Sequence, residues 1–231
     1  MTDLVVAPAS HDAARYAVEN WHYSRILPTG KLVKFGAWED GKFIGVVILS
    51  RGASPWLGKA LDLDQTEICE LTRIALTKHK APVSQIVARA LKLFKEANPR
   101  MRAVVSFADP KEGHHGGIYQ AGNWIYTGQS GTVTEYFVGG RWRHKKGVWN
   151  RLVKEKRQGK NLPVVEGGEP VPWRDMPGKF RYIYPLDKAM RRKVSKEALE
   201  FPNAVEGLEE SRLGSSEEVQ VQSLPTAREG D

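Results

Sequence analysis

Residues 66–77, "TEICELTRIALT", 84–97, "SQIVARALKLFKEA", and 101–109, "MRAVVSFAD", read as strand, helix and strand, and that succession decides the fold. The first stretch is rich in β-branched residues, yet Ile68, Leu71, Ile74 and Leu76 do not alternate cleanly, which predicts a long strand carrying a bulge. On a regular strand Glu70 and Arg73 fall on opposite faces, so they need not pair. In the second stretch Ile86, Val87, Ala90, Leu91 and Phe94 recur at helical spacing, with Ser84 as the cap just after Pro82. The third is a continuous apolar run that Pro110 stops, the pattern of a buried strand.

Upstream, "LVVAPAS" is a short strand and "HDAARYAVENWHYS" a helix capped by Ser10 or Asp12, with Ala13, Tyr16, Ala17 and Trp21 at helical spacing. "KLVKFGAWE" and "KFIGVVILSRG" flank Asp40-Gly41, a step that predicts an antiparallel hairpin. Downstream, "HHGGIYQAGNW" has room for a short helix, "WIYTGQS" and "TEYFVGG" are strands, and "FRYIYPL" adds an edge strand after a segment rich in proline and glycine. The expected class is α/β (α+β), with a mixed, largely antiparallel sheet and flanking helices. Residues 1–140 are expected to form the catalytic domain, 141–195 a basic DNA-binding extension on or near it, and 196–231 an acidic, disordered tail.

Charge divides the chain in the same way. The 231 residues carry a net +8, but 201–231 hold seven acids and two bases, which leaves residues 1–200 at +13. Nine Lys/Arg stand against Glu155 between Arg141 and Lys160, with Trp142 and Trp149 among them. A basic run interleaved with tryptophan points to nucleic acid rather than to a membrane surface, the competing reading being a solvated charged helix. No apolar run of about 18 residues exists and the N-terminus has no secretory pattern, so a cytosolic protein is expected. Cys69 is the sole cysteine, which excludes an intramolecular disulfide and a thiolate zinc cluster and reads as a buried structural residue.

The order strand, helix, three strands, helix, strand, short helix, strand, strand resembles the GNAT (N-acetyltransferase-like) fold. That likeness implies an acyl-coenzyme A, acetyl-CoA or a related donor, lying between two splayed central strands with its pyrophosphate at the helix joining them. A helix N-terminus suits a phosphate on physical grounds as well. The glycine signature Q/R-x-x-G-x-G/A of acetyltransferases is absent from that turn; "LTKHKAPVSQ" offers Lys78, His79, Lys80 and Ser84 instead. In GNAT proteins a tyrosine on the short helix after the central strand is the general acid toward the departing thiolate, and "IYQAGNW" supplies Tyr119.

Asp109 ends a buried strand, where open sheets place active sites, and is equally the residue type that caps a turn before Pro110. His114 and His115 are adjacent, so their side chains diverge and do not readily share one metal. His22, Asp109 and the phenols Tyr23 and Tyr119 are hard-to-borderline donors that suit iron better than zinc if the fold gathers them. Arg73 on an inner strand reads equally as an anion-binding residue or half of a salt bridge.

"WHYS", "GKLVKFGAWEDGKFIGVVI", "TEICELTRIAL", "VVSFADPKEGHHGGIYQAGNWIYTG" and "KFRYIYPLDKAMRRK" together resemble the Mom family of DNA-modification proteins of Mu-like phages, over about residues 10–192. The resemblance implies conversion of adenine in double-stranded DNA to N6-carbamoylmethyladenine in the host bacterial cytoplasm, which masks phage DNA from restriction enzymes. It implicates His22, Tyr23, Asp109 and Tyr119 in the site, with iron as a candidate metal, together with Arg73 and Ser84; Lys78 joins Ser84 and Arg73 as a donor-binding candidate. Base extrusion is expected, with Trp21, Trp124, His114 and His115 as candidates to stack on or replace the base. Arg141, Arg143, Lys145, Lys146 and Arg151 are candidates for phosphate contacts. The alternatives are a conventional acetyl-CoA-dependent N-acetyltransferase and a non-catalytic DNA-binding protein on a GNAT scaffold.

Overall fold

A computed structural model describes residues 3–52, 54–145, 148, 165–166 and 169–202. The chain runs β1 (Leu4–Pro8), α1 (His11–Trp21), β2 (Leu32–Glu39), β3 (Lys42–Ser50), β4 (Ile68–Leu76), α2 (Val83–Ala97), β5 (Ala103–Ala108), α3 (Gly117–Gln120), β6 (Ile125–Gln129), β7 (Val133–Val138) and β8 (Arg141–His144). After these come β9 (Val165–Glu166), β10 (Glu169–Pro170), β11 (Trp173–Met176), β12 (Phe180–Pro185) and α4 (Lys188–Ser195). Among the described residues seven strands form the main sheet in the order β1-β2-β3-β4-β5-β12-β6, and β11-β7-β8 form a second, smaller one. In the main sheet β4 and β5 pair in parallel and every other neighbouring pair is antiparallel. This is the mixed α+β architecture expected of the sequence.

The hairpin forms at Asp40 and Gly41, both with positive φ, as its Asp-Gly step requires. Ser10 is the cap of α1, accepting the Ala13 N–H, but the buried face of that helix is Ala14, Ala17 and Val18, while Tyr16 is exposed. Helix α2 buries the five residues its periodicity selects, against Leu71, Val104 and the inward side chains of β2 and β3. Ser84 does not cap it. The N-cap is Pro82, which has no side-chain acceptor, and Ser84 lies inside the first turn.

"FRYIYPL" is not at an edge. Strand β12 lies between β5 and β6, with Tyr182 facing the α2 layer and Ile183 facing α4. Its near-continuous apolar run is what a strand buried on both faces requires. A boundary at residue 140 therefore does not isolate the sheet, because residues 180–185 complete it.

The bulge in β4 is present and has a consequence for the site. Ile48 pairs with Arg73 while Leu49 pairs with Leu71, so Thr72 is the extra residue. Before it, Cys69 and Leu71 face α2; after it, Ile74 takes over that face and Ala75 packs under α1. Arg73 is thereby turned to the α1 side, the side of Glu70, and the opposite-face expectation fails because one inserted residue reverses the alternation. Cys69 is buried and its thiol is pushed up to about 12 by that burial, with Glu70 adding to the effect, as befits a structural residue.

Phe94 is 2% exposed at the centre of the α2 face. Phe94→Ala is expected to lower stability by about 3–5 kcal/mol, read as a fall in the urea midpoint at unchanged m-value.

Candidate active site

Strands β4 and β5 pair only over Ile68–Glu70 against Ala103–Val105 and then stop bonding each other. The gap that opens is bridged by a side chain: Ser106 Oγ lies 2.8 Å from the Leu71 carbonyl oxygen and 2.8 Å from the Tyr119 hydroxyl. Ser106 has one proton to give. Donating it to the carbonyl leaves a lone pair that accepts from Tyr119. Tyr119 stands on α3, whose start at Gly116 needs a positive φ and a backbone pressed on the Tyr182 ring, with no room for a Cβ.

His22 closes the other side. It follows α1, and a tight turn from the His22 carbonyl to the Arg25 N–H, with Arg25 at φ 51°, aims its ring inward. Nδ1 accepts the Ser24 N–H at 3.1 Å and meets Ser24 Oγ at 2.9 Å, so the neutral ring carries its proton on Nε2. Desolvation first, then the positive charge of Arg73 and the neighbouring His114, lower its pKa to about 4. At neutral pH His22 is thus an uncharged hydrogen-bond donor. Arg73 is held by the carbonyls of Thr72 at 2.7 Å and Ile26 at 3.4 Å.

Tyr23 is half exposed, its ring 4.3 Å from that of His22 and 5.7 Å, edge-on, from that of His114. Burial raises its pKa most; Lys179 pulls it down and Asp109 pushes it up, for a net rise. Asp109 does both things the sequence allows. Oδ1 accepts the Lys111 N–H as a turn cap, at 3.2 Å, while Oδ2 pairs with Lys179 Nζ at 2.7 Å. Burial drives Tyr119 up to about 12, with Tyr23 and Glu70 adding to the rise and Ser106 opposing it. A phenol held that high keeps its proton at neutral pH and is a hydrogen-bond donor.

His22, Tyr23, Arg73, Asp109, His114 and Tyr119 therefore share one electrostatic environment, into which the structure also brings Lys179 and Ser106. Neither addition carries a motif in the sequence. Lys179 follows a proline- and glycine-rich stretch without periodicity, and Ser106 sits in an apolar strand whose one polar residue was the available signal.

Other expectations change. Trp124 is 3% exposed, packed against Tyr119 and Tyr184, so it is a core residue and not a platform for a base. Trp21 packs on Phe43 and Tyr16. The His115 carbonyl accepts the Tyr182 hydroxyl at 2.6 Å, giving that residue a structural task. Arg141 and Lys145 are exposed, Arg143 donates to the Val138 carbonyl, and Lys146 and Arg151 lie outside the described residues, as does the acidic tail beyond 202. Lys78 and Ser84 lie on either side of a turn whose Lys80 and Ala81 amides are taken by the Glu39 carboxylate.

The donor set does not fit iron as arranged. Asp109 Oδ2 pairs with Lys179 at 2.7 Å, so a cation there would have to displace an ammonium, and His22 Nδ1 accepts the Ser24 N–H, which leaves a proton on the Nε2 edge that a metal would need. Lys179 and Arg73 both act electrostatically on Tyr23, so a metal beside that phenol would meet two positive charges. Among the described residues no cluster of three His, Cys, Asp or Glu able to hold a metal is formed.

Among the described residues, a mixed sheet opened at its one parallel strand pair, with polar side chains gathered beside the opening, defines an α+β fold. The chain belongs to the Mom protein family, whose family model matches residues 3–203. It is 27% identical over 208 residues to the methylcarbamoylase Mom of Escherichia phage Mu, a match covering 84% of this chain and 80% of that protein. Among solved structures, an acetyltransferase from Thermus thermophilus aligns at a TM-score of 0.38 and 13% identity, over 79% of this chain and 97% of that one. Among the described residues no helix is long and apolar enough to cross a membrane.

The His22 shift sets a pH dependence. Its folded pKa of about 4 lies below the unfolded value of 6.5, so the unfolded chain binds the extra proton and stability falls as pH drops from about 6.5 to about 4. Urea unfolding at pH 7 and pH 5 is expected to show a loss of about 2 kcal/mol from this group, absent in His22→Gln.

Proposed function

We propose that this protein modifies adenine in double-stranded phage DNA, attaching a carbamoylmethyl group to N6 and so shielding the DNA from host restriction enzymes. Membership of the Mom family carries this reading, supported by the likeness to the Mu methylcarbamoylase. The exocyclic amine of adenine is a weak nucleophile, because its lone pair is delocalised into the purine. An acetyl transfer leaves a carbonyl on N6, whereas the carbamoylmethyl product has a methylene there. The new bond therefore runs from N6 to the donor's methylene carbon. The donor's leaving group departs with the bonding pair, and one N6 proton is lost.

The target amine is partly hidden in a duplex, so the base is extruded, at a cost of a few kcal/mol in unpairing. Tyr23 and His114, both exposed beside the cluster, are the rings that meet it, a role their exposure supports and the burial of Trp124 denies to that residue. Asp109 orients the amine and receives its proton, Lys179 and Arg73 place positive charge where the leaving group develops negative charge, and neutral His22 donates from Nε2. The donor's acetamide end enters between β4 and β5, past Ser106 and Tyr119. Phosphates of the duplex lie along the basic surface that includes Arg141 and Lys145.

Nucleoside mass spectrometry of plasmid DNA from expressing cells is the test. Wild-type protein is expected to yield N6-carbamoylmethyldeoxyadenosine, and Asp109→Asn and Lys179→Met each to lower the yield at least about tenfold, roughly 1.4 kcal/mol in barrier, at equal soluble expression. Unmodified adenine with soluble wild-type protein would instead support the non-catalytic DNA-binding reading.

A further inference from the structure

The N-terminus of α2 is where a GNAT-like chain is expected to grip a diphosphate, and here the chain fills that position itself. Glu39, the last residue of β2, lays its carboxylate across the turn before the helix. Oε1 accepts the Ala81 N–H at 2.7 Å and the Lys80 N–H at 3.1 Å, and Oε2 accepts the same Lys80 N–H at 3.0 Å. Bonds from backbone N–H groups to a carboxylate are about twice as strong as neutral ones. Pro82, next in line, has no N–H to offer. Glu39 is itself fixed by the sheet, its backbone in register with Leu4 of β1 on one side and Lys42 of β3 on the other. The turn Thr77–Pro82 contains no glycine that would let a second anion come close to the backbone. A coenzyme A diphosphate does not fit the Lys80 and Ala81 donors of this turn, which a negative charge of the chain's own already satisfies.

We infer that Glu39 closes the N-terminus of α2 to nucleotide diphosphates, so that the donor used at the β4–β5 opening is held without a diphosphate anchor there and belongs to a class other than acyl-coenzyme A thioesters gripped in the acetyltransferase manner. This rests on the reading that a donor enters between β4 and β5, but its test reads binding at α2 and is independent of DNA modification. The two can therefore fail separately. The exposed Lys78 and Lys80 remain beside the turn, so the positive charge for a phosphate is present and Glu39 is what stands in its place.

Amide NMR of the full-length protein, titrated with desulfo-coenzyme A and separately with inorganic pyrophosphate, reads the Lys80 to Ser84 backbone directly. In the wild type these amides are expected to show no saturable shift with either ligand at millimolar concentration. Glu39→Ala frees the Lys80 and Ala81 N–H groups and is expected to gain a saturable pyrophosphate response at these amides, at least about tenfold tighter than the wild type. If Glu39→Ala does not fold, Glu39→Gln, which keeps an acceptor oxygen but loses the charge, is expected to show a smaller gain of the same sign. Saturable micromolar shifts of Lys80 and Ala81 by desulfo-coenzyme A in the wild type would overturn the inference. So would a folded variant with no gain, because Glu39 would then not be what excludes the anion.

Discussion

Everything at the candidate site depends on the point where β4 and β5 stop bonding each other. Their parallel ladder ends at Glu70 and Val105, and two residues later the bulge at Thr72 turns β4 over. Without the bulge Arg73 would face α2 and have no part in the environment of His22. The break also leaves the Leu71 carbonyl without a strand partner across the gap, and Ser106 repairs that with its hydroxyl, which in turn fixes Tyr119. One irregularity thus brings groups from α1, β4, β5 and α3 to a single opening.

Charge then decides what the opening can do. Lys179 brings positive charge to the Asp109 carboxylate, which also accepts the Lys111 N–H, and burial beside Arg73 keeps His22 neutral. The same turn is tied to the smaller sheet, since Lys111 bonds Glu135 at 2.6 Å and Glu135 receives Arg174 at 3.1 Å. Arg174 lies 4.2 Å over the Trp142 ring. Trp142 of the basic run is thereby packed into a scaffold joined to the Asp109 turn.

The elements with strong periodicity were legible in the sequence: α2 to its five buried residues, the hairpin at Asp40-Gly41, the bulged strand, and the short helix carrying Tyr119. The side-chain set His22, Tyr23, Asp109 and Tyr119 could be named but not placed, because strand order and the bulge's exact position are long-range properties. Lys179 was not legible, since a lysine after Pro-Gly looks like any surface residue until β12 is seen to lie beside β5. Trp124 misled for the opposite reason. An aromatic after a glycine-rich turn reads as a ligand platform, and only its packing on Tyr119 shows it to be core. Glu39 carries no local signal of its role, because its partners are backbone amides 41 and 42 positions away.

On the proposed reading, the β4–β5 opening is where an extruded adenine meets its modifying groups. A crystal structure of the full-length protein bound to a duplex carrying one target adenine tests it most directly. The expected result is an unstacked adenine between the rings of Tyr23 and His114, with its N6 toward Asp109. A base still stacked in a duplex that lies across β7 and β8, with the Tyr23 and His114 rings uncontacted, would contradict it.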